Sequence, residues 1–199
     1  MRNSMFALIL SGILTATPAL ADWTLDPARS HLAFVSIKAN DVAEVNTFGK
    51  IQGTIDGDGQ AVVTLMLDTV DTLIPIRNER MREFLFETTN YREAVLNAKI
   101  DPKIITDMAI GDIAQINAEG SLSLHGQEQP MTLAMQAAKV DAKTVMVASI
   151  KPLIVDAAKF GMSDGVEKLR EIAGLASISK AVPVNFVITF VEVPTAAGQ

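Results

Sequence analysis

The stretch Gly49–Asp68, GKIQGTIDGDGQAVVTLMLD, has the pattern of two β-strands joined by a tight turn. Its outer parts, Gly49–Ile55 and Ala61–Asp68, are rich in β-branched and aliphatic residues, which favour strands. Between them, Asp56–Gly59 (DGDG) supplies glycines, which accept the positive φ that hairpin turns require. The segment therefore predicts an antiparallel hairpin.

Similar runs follow along most of the chain. Turn sequences such as Gly111-Asp112, His125-Gly126-Gln127 and Asp141-Ala142 separate them. About eight strands at short, regular spacing favour an antiparallel barrel or sandwich over alternating strands and helices. The predicted strands are Ser30–Lys38, Gly49–Ile55, Ala61–Asp68, Ala94–Ile105, Ile113–Leu124, Met131–Val140, Val145–Val155 and Ser177–Val193.

Two segments carry helical rather than strand periodicity. Leu73–Thr88 repeats apolar residues at helical spacing, and Asp164–Ala173 does the same after Asp164, which is expected to act as its N-cap. We expect both helices to lie across an end or a side of the sheet. The fold class predicted from these elements is mainly β, in a single domain.

Composition excludes several classes of protein. The 199 residues contain no cysteine, which excludes a disulfide scaffold, zinc–thiolate sites and thiol catalysis. There are 17 basic and 23 acidic residues, a net charge of −6, whereas a nucleic-acid-binding protein would show basic clusters. We therefore expect no nucleic-acid partner.

The first 21 residues have the pattern of an export signal. A single positive charge at Arg2 precedes the apolar run Met5–Ala16, and Pro18–Ala21 ends in small residues suited to cleavage after Ala21. The run is shorter than the ~20 residues that a membrane-spanning helix needs. We expect residues 1–21 to be a signal peptide, residues 22–199 to be the folded domain, and the protein to be periplasmic.

No motif for catalysis or metal binding stands out. His31 and His125 are far apart in the chain, and we interpret both as strand-end or turn residues. Asp56–Gly59 opens like a calcium loop, but the twelfth position of that frame is Leu67 where a glutamate is required. We expect no cofactor, no metal and no enzymatic activity.

Three arginines on the first predicted helix have two possible roles. Arg77, Arg80 and Arg82 could hold an anionic headgroup by bidentate hydrogen bonds. Alternatively, they could form a solvated face of the helix and pair locally with Glu79 and Glu83. The sequence favours the second interpretation.

The order and spacing of many short motifs resemble the YceI family, periplasmic lipid-binding proteins with a lipocalin-like barrel. The resemblance covers most of the chain after residue 22. It departs at Arg77–Met81, RNERM, where family members commonly have R-D-x-H-L. The motifs that carry it are Trp23-x-Leu25-Asp26-Pro27, Ser30-His31, Phe34, Thr47-Phe48-x-x-Ile51-x-Gly53-Thr54-Ile55, Val70-Asp71-Thr72, Arg77, Phe86, Gly120-x-Leu122-x-Leu124-x-Gly126-x-x-x-Pro130-x-Thr132-Leu133 and Phe160-Gly161-Met162.

The resemblance implies an eight-stranded antiparallel, lipocalin-like barrel with two short helices and a long apolar cavity. It implies a polyisoprenoid (quinone-like) or related lipid as ligand, and Arg77 is the candidate polar contact at the cavity mouth. A barrel of eight strands is wide enough to hold one such ligand. The candidate lining residues are Phe34, Phe48, Ile51, Leu65, Leu67, Phe84, Phe86, Leu122, Leu124, Phe160, Met162, Phe186 and Ile188.

The leading hypothesis is therefore a non-catalytic binding or carrier protein for a hydrophobic small molecule. Exchange of that lipid would involve transient membrane contact, and a homodimer is possible. A second hypothesis is a stress-response interaction module whose barrel is filled and which binds a partner protein. The third, an enzyme that uses the cavity, has the least support because no acid–base pair is visible.

Overall fold

The strand-like runs form twelve short strands in the computed structural model, which describes residues 22–193. The predicted signal peptide, residues 1–21, lies outside the described residues. All twelve strands belong to one antiparallel sheet. They are β1 (Trp23–Leu25), β2 (His31–Lys38), β3 (Val42–Phe48), β4 (Ile51–Ile55), β5 (Gln60–Met66), β6 (Val70–Asp71), β7 (Glu93–Lys99), β8 (Ile113–Leu124), β9 (Gln127–Asp141), β10 (Thr144–Ser149), β11 (Leu153–Asp156) and β12 (Ala181–Glu192).

The twelve strands make an eight-stranded barrel because four barrel strands are interrupted. β1 continues into β2, β3 into β4, β5 into β6, and β10 into β11. Each barrel strand pairs with the next one in the sequence, and β12 closes the ring by pairing with β1 and β2. In that closure Leu25 lies opposite Phe190, and Phe34 lies opposite Val184. The predicted eight-stranded antiparallel barrel is confirmed.

Local hydrogen bonds account for three of the four interruptions. The Asp26 carboxylate accepts from the Ala28 N–H at 2.9 Å and begins the 3₁₀ turn Pro27–Arg29 between β1 and β2. The Gly49 N–H donates to the Thr69 carbonyl at 2.9 Å, and the Thr69 hydroxyl accepts from the Lys50 N–H at 3.1 Å. The breaks in two neighbouring barrel strands therefore brace each other.

The helices lie at the ends of the barrel. α1 (Pro75–Arg80) continues directly as a π-helix, Met81–Leu85. This π-helix packs against α3 (Ser163–Ile172). A Cβ at Gly165 would lie 2.4 Å from the Phe84 carbonyl oxygen, so only glycine permits this approach of α3 to the π-helix. The short α2 (Lys103–Thr106) belongs to the opposite end, where its Ile105 is buried in the core.

Several predicted boundaries were wrong. β1 and β3 were not predicted, and the run Ala94–Ile105 leaves the sheet at Lys99, because Pro102 fixes the φ of −60° that starts α2. Asp164 is not an N-cap: Met162 occupies that position, and Asp164 lies in the first turn. The first helix is shorter than Leu73–Thr88, spanning residues 75–85.

Buried apolar side chains form two clusters, one above the other along the barrel. The cluster at the closed end includes Trp23, Leu25, Ile105 and Phe190. The cluster under the helices includes Leu67, Met81, Phe86, Phe160 and Val166. Buried apolar side chains therefore occur at both ends of the barrel.

Candidate functional site

A cavity of about 360 Å³ occupies the barrel interior, and most of the buried side chains in the cluster under the helices line it. Because side chains alternate across a strand, β2 directs Leu32, Phe34, Ser36 and Lys38 inward along one wall of the cavity. The cavity reaches the surface beside α1, where Ile76 lines it and is nevertheless 52% exposed. We call this opening the mouth.

The structure brings most of the sequence-predicted lining residues to one cavity. Arg77 also lies on the cavity. The ten apolar candidates that line it are Phe34, Phe48, Leu65, Leu67, Phe86, Leu122, Leu124, Met162, Phe186 and Ile188.

Three candidates do not line the cavity. Ile51 is buried in the closed-end cluster. Phe160 is buried in the cluster under the helices, at the end of a 3₁₀ turn that turns it into the core. Phe84 is half-buried in the π-helix, whose backbone at this residue packs against Gly165. Phe84 and Phe160 lie on a helix and a turn, where alternation does not fix the direction of a side chain, whereas Ile51 lies on β4 and belongs to the closed-end cluster.

Other lining residues were missed, although their signals were present in the sequence. Val166 and Leu169 belong to the apolar stripe of α3 and line the cavity from above. Val182 and Val184 follow from the inward direction of Phe186 by the two-residue period of β12. Additional missed residues are Leu32, Val63, Ile74, Ile76, Met81, Leu85, Ala94, Leu96, Met131, Leu153, Val155, Ala157, Ile172, Ala173, Leu175 and Ile178.

Three phenylalanines form a continuous aromatic wall below the mouth. The rings of Phe34 and Phe48 lie 5.3 Å apart between centroids, and those of Phe48 and Phe86 lie 5.8 Å apart. Both pairs are tilted, which is the arrangement that aromatic quadrupoles favour. The lining is therefore aromatic at this point, whereas most of the remaining lining is aliphatic.

The mouth carries a cluster of charges centred on Glu44. Arg77 donates to this carboxylate at 2.5 Å, and Lys38 lies 2.9 Å from its other oxygen. The hydrogen bond from Lys38 is the main cause that holds the pKa of Glu44 below its ordinary value, and the nearby charge of Arg77 adds to it. Arg80 also lines the cavity. The charged lining residues of the mouth thus comprise three cations and one anion.

The orientation of Arg77 is fixed by the loop that precedes α1. Arg77 also donates to the Thr72 carbonyl at 2.7 Å, and the Thr72 hydroxyl donates to the Asn78 side-chain oxygen at 2.6 Å. The Nε of Arg77 is buried without a hydrogen-bond partner in the described part of the chain. One N–H of the guanidinium is therefore held in place and unused.

The expected local pairing of the arginines was wrong. Glu79 and Glu83 form no ion pair with Arg77, Arg80 or Arg82 within residues 22–193; the partner of Arg77 is Glu44, on β3. Sequence proximity along one helix could not reveal this partner because it lies 33 residues away.

A buried amide lies beside the charged cluster. Asn46, 3% exposed, donates to the Ser36 hydroxyl at 3.1 Å and to the Glu44 carbonyl at 3.2 Å. Its side-chain oxygen has no hydrogen-bond partner among the described residues. The inward positions of β3 near the mouth are therefore polar, in contrast with Phe48 two residues further on.

The apolar rim of the mouth is formed by the segment Leu73–Ile76. Leu73 is 86% exposed and has a φ of +60°, a left-handed conformation that is unusual for leucine. The Asp71 carboxylate holds it there by accepting from the Leu73 N–H at 2.8 Å, and this hydrogen bond is the main cause that lowers the pKa of Asp71. Ile74 is also exposed and lines the cavity.

The two histidines lie on separate elements, as expected. His31 begins β2, and His125 lies at the turn between β8 and β9, where its ring is 4.3 Å from that of Tyr91. The DGDG segment forms a turn in which Asp56 accepts from the N–H groups of Asp58 and Gln60. Within residues 22–193, no group of three or more His, Asp or Glu side chains is arranged to hold a metal ion, and no helix has the length and apolar character to cross a bilayer.

Comparison with known proteins gives a consistent family and fold. The family model of the YceI-like domain matches residues 23–190. A polyisoprenoid-binding domain from Saccharophagus degradans, implicated in plant cell wall breakdown, is 33% identical with a TM-score of 0.84; the match covers 86% of this chain and 98% of that domain. No curated protein sequence matches the chain.

More distant structures share the fold alone. BcnA of Burkholderia cenocepacia is 21% identical with a TM-score of 0.63, and the match covers 83% of this chain and 98% of BcnA. The YCEI protein of Campylobacter jejuni is 14% identical with a TM-score of 0.50, covering 75% of this chain and 85% of that one. At such identities the likeness carries no information on the ligand.

Proposed function

The chain belongs to the YceI-like domain family, and from this membership we propose that it is a non-catalytic binding or carrier protein for a long apolar lipid, a polyisoprenoid (quinone-like) chain or a related lipid. The observation that carries the proposal is the cavity of about 360 Å³, whose lining is apolar except at the mouth. The 33% identical domain of Saccharophagus degradans, described as polyisoprenoid-binding, supports the same class of ligand.

The lining provides affinity without a charged anchor. Removal of apolar surface from water contributes about 25 cal/mol per Å². A flexible apolar chain that contacts Leu65, Leu96, Leu122 and Ile188 along the barrel would therefore gain free energy along most of its length. The aliphatic lining suits a branched, conformationally variable chain better than a flat ring.

We place the polar end of the ligand at the mouth of the cavity. Arg77 is already oriented by Glu44 and Thr72, its side chain is 27% exposed, and the terminal N–H groups that these bonds leave free can donate to an oxygen of the headgroup. Lys38 and Arg80 leave the lining of the mouth with an excess of positive charge. A headgroup that accepts hydrogen bonds, such as a quinone carbonyl, a hydroxyl or a carboxylate, fits this end.

The route of the lipid into the barrel is a transient contact of the rim with a membrane. Leu73, Ile74 and Ile76 are exposed at the mouth, and Ile74 and Ile76 also line the cavity, so that apolar surface runs without interruption from outside to inside. A lipid that crosses such a surface avoids exposure to water. The alternative to membrane contact is that a second copy of the chain covers this rim. Sedimentation or light scattering would then detect a homodimer.

We propose that the protein acts in the periplasm, after cleavage of its signal peptide behind Ala21. The support for it is the pattern of residues 1–21. The competing hypothesis of a filled barrel that acts only by binding a partner protein does not fit a barrel with a cavity of this size.

Native mass spectrometry of protein expressed with its leader, followed by organic extraction, tests the proposal. We expect a lipid that co-purifies in stoichiometric amount, and a stripped protein whose melting temperature rises when an isoprenoid alcohol or a quinone is added. A protein that carries no lipid, and that gains no thermal stability from isoprenoids, quinones or fatty acids, would contradict it.

A further inference from the structure

The barrel wall has a gap in its backbone hydrogen bonding between β9 and β11. β9 pairs with β8 from Gln127 onward, but with β10 only from Met135 onward. On that side one more bond follows, from the Ile150 N–H to the Ala134 carbonyl at 3.0 Å. In the described part of the chain, no strand pairs with the remaining edge of β9, residues 127–133, and β11 pairs only with β12. We call this gap the lateral seam.

Prolines on both sides keep the lateral seam unpaired. Pro130 lies within β9, and Pro152 immediately precedes β11. Because proline has no N–H, each removes a donor that would otherwise help to bridge the two edges, and proline in a sheet is confined to such edges. A side chain crosses the seam instead: the Gln129 amide donates to the Lys159 carbonyl at 3.2 Å.

A cleft of about 240 Å³ lies on this part of the wall. Two residues, Met131 and Leu153, line both this cleft and the main cavity. Both are half-buried. At the lateral seam the cavity is therefore separated from the cleft by two side chains, without a hydrogen-bonded backbone between them. The cleft is lined by Pro130, Met131, Thr132, Ala134, Lys151, Pro152, Leu153 and Ile154.

The size of the main cavity makes this thin wall significant. Pockets that hold drug-sized ligands measure about 300–1,000 Å³, and the cavity of about 360 Å³ lies near the lower end of that range. A polyisoprenoid of eight or nine units is larger than such a ligand. Methionine is unbranched and adapts its shape easily, so Met131 is suited to move aside.

We propose that the lateral seam is a second binding site for the apolar chain of the ligand. Met131 and Leu153 separate, and the far end of a long polyisoprenoid passes between them into the cleft while its headgroup stays at the mouth. This inference rests on the proposed function. It adds that the lateral seam determines how long an apolar chain the protein can bind.

Two probes of different length test the inference. Farnesol has three isoprene units and solanesol has nine, and both can be delivered from cyclodextrin. Thr132→Trp and Ile154→Trp each fill the cleft from residues that line the cleft and not the main cavity, and we expect solanesol affinity to fall about tenfold or more, since the far end of its chain then stays in water. Farnesol affinity should stay within about twofold, because a short chain ends inside the barrel. Val187→Trp, on the outer face of neighbouring β12, is the matched control and should change neither affinity.

A second measurement does not depend on filling the cleft. The chain has no cysteine, so Thr132→Cys places one polarity-sensitive fluorophore in the cleft. Solanesol should shift its emission and farnesol should not. The inference is overturned if both probes lose affinity equally, if neither loses affinity in the filled variants, or if solanesol leaves the fluorophore unchanged. Failure of both probes to bind the unsubstituted protein would instead overturn the proposed function.

Discussion

Arg77 on α1 is joined to Glu44 on β3 across the mouth of the cavity, with 2.5 Å between guanidinium nitrogen and carboxylate oxygen. The same carboxylate binds Lys38 on β2. One acidic side chain therefore connects the helix to the first hairpin of the barrel wall. It also holds two cations at the position proposed for the headgroup of the ligand.

This cluster predicts a stability difference that depends on pH. The pKa of Glu44 is lowered from its ordinary 4.5, chiefly by Lys38. A lowered pKa in the folded state contributes stability above the unfolded value, and that stability is lost as pH falls through the folded value. Glu44→Gln should lower the free energy of unfolding by up to about 1 kcal/mol near neutral pH, since the pair is partly exposed. Urea unfolding at several pH values should show this difference vanish well below pH 4; a difference that persists there would contradict the assignment.

Gly165→Ala should destabilise the contact between α3 and the π-helix. Alanine favours a helix over glycine by about 1 kcal/mol, but the new Cβ would lie 2.4 Å from the Phe84 carbonyl oxygen and 3.0 Å from the Leu85 Cα. Overpacking of this kind costs about 1–3 kcal/mol, so the net effect is a loss of stability. Thermal unfolding checks it, with the exposed Lys168→Ala in the same helix as a control that should be close to neutral. A melting temperature that rises in Gly165→Ala would show that the helices have room to separate.

Trp23→Ala should weaken the fold without changing the shape of the cavity. Trp23 is buried in the closed-end cluster, does not line the cavity, and has the Lys139 ammonium 4.6 Å above its ring. Loss of a buried tryptophan costs about 3–5 kcal/mol. Chemical unfolding should show the loss, while the affinity for farnesol under native conditions stays close to that of the unsubstituted protein. Equal loss of both would place Trp23 in the binding site.

The exposed rim predicts a membrane-contact variant. Leu73→Asp together with Ile76→Asp should reduce co-flotation with lipid vesicles, because charged side chains do not enter an apolar interface. The transfer rate of lipid from vesicles should fall with it, while stability changes little since both side chains are exposed. Ile113→Asp, also exposed but at the start of β8, is the control. If the control reduces flotation as much as the double variant, the contact is not specific to the mouth.

The strands were predictable from the sequence because alternation is a local property, and the family resemblance favoured a barrel over a sandwich. The inward direction of Phe186 fixes that of Ile188 and Val184, and a tight turn such as Asp56–Gly59 fixes which strands are neighbours. The interruptions were harder to predict. β3 carries polar residues at two inward positions, Glu44 and Asn46, so its sequence lacks the apolar alternation that identifies a strand.

The mouth was only partly predictable. Arg77 was identified as a polar contact, but its partner Glu44 depends on how the helix returns over the barrel, which no local pattern encodes. The same reason applies to Phe84 and Phe160: they are as apolar as the residues that line the cavity, and only the packed positions of the helix and turn separate them from those residues. The lateral seam follows from the break between β10 and β11, and a continuous run of strand-forming residues, Val145–Val155, concealed it.

The order of strands around the barrel also sets the order of assembly. Neighbouring barrel strands are consecutive in the sequence except at one junction, where β12 pairs with β1 and β2. There the Thr189 N–H donates to the Ser30 hydroxyl across a separation of 159 residues. β12 is synthesised last, and it supplies Val182, Val184, Phe186 and Ile188 to the cavity wall. A nascent chain that lacks it is an open sheet with two free edges, and contacts so distant in sequence form slowly. The cavity therefore does not exist until β12 has docked, and under the proposed function a lipid can be loaded only after that strand has been synthesised.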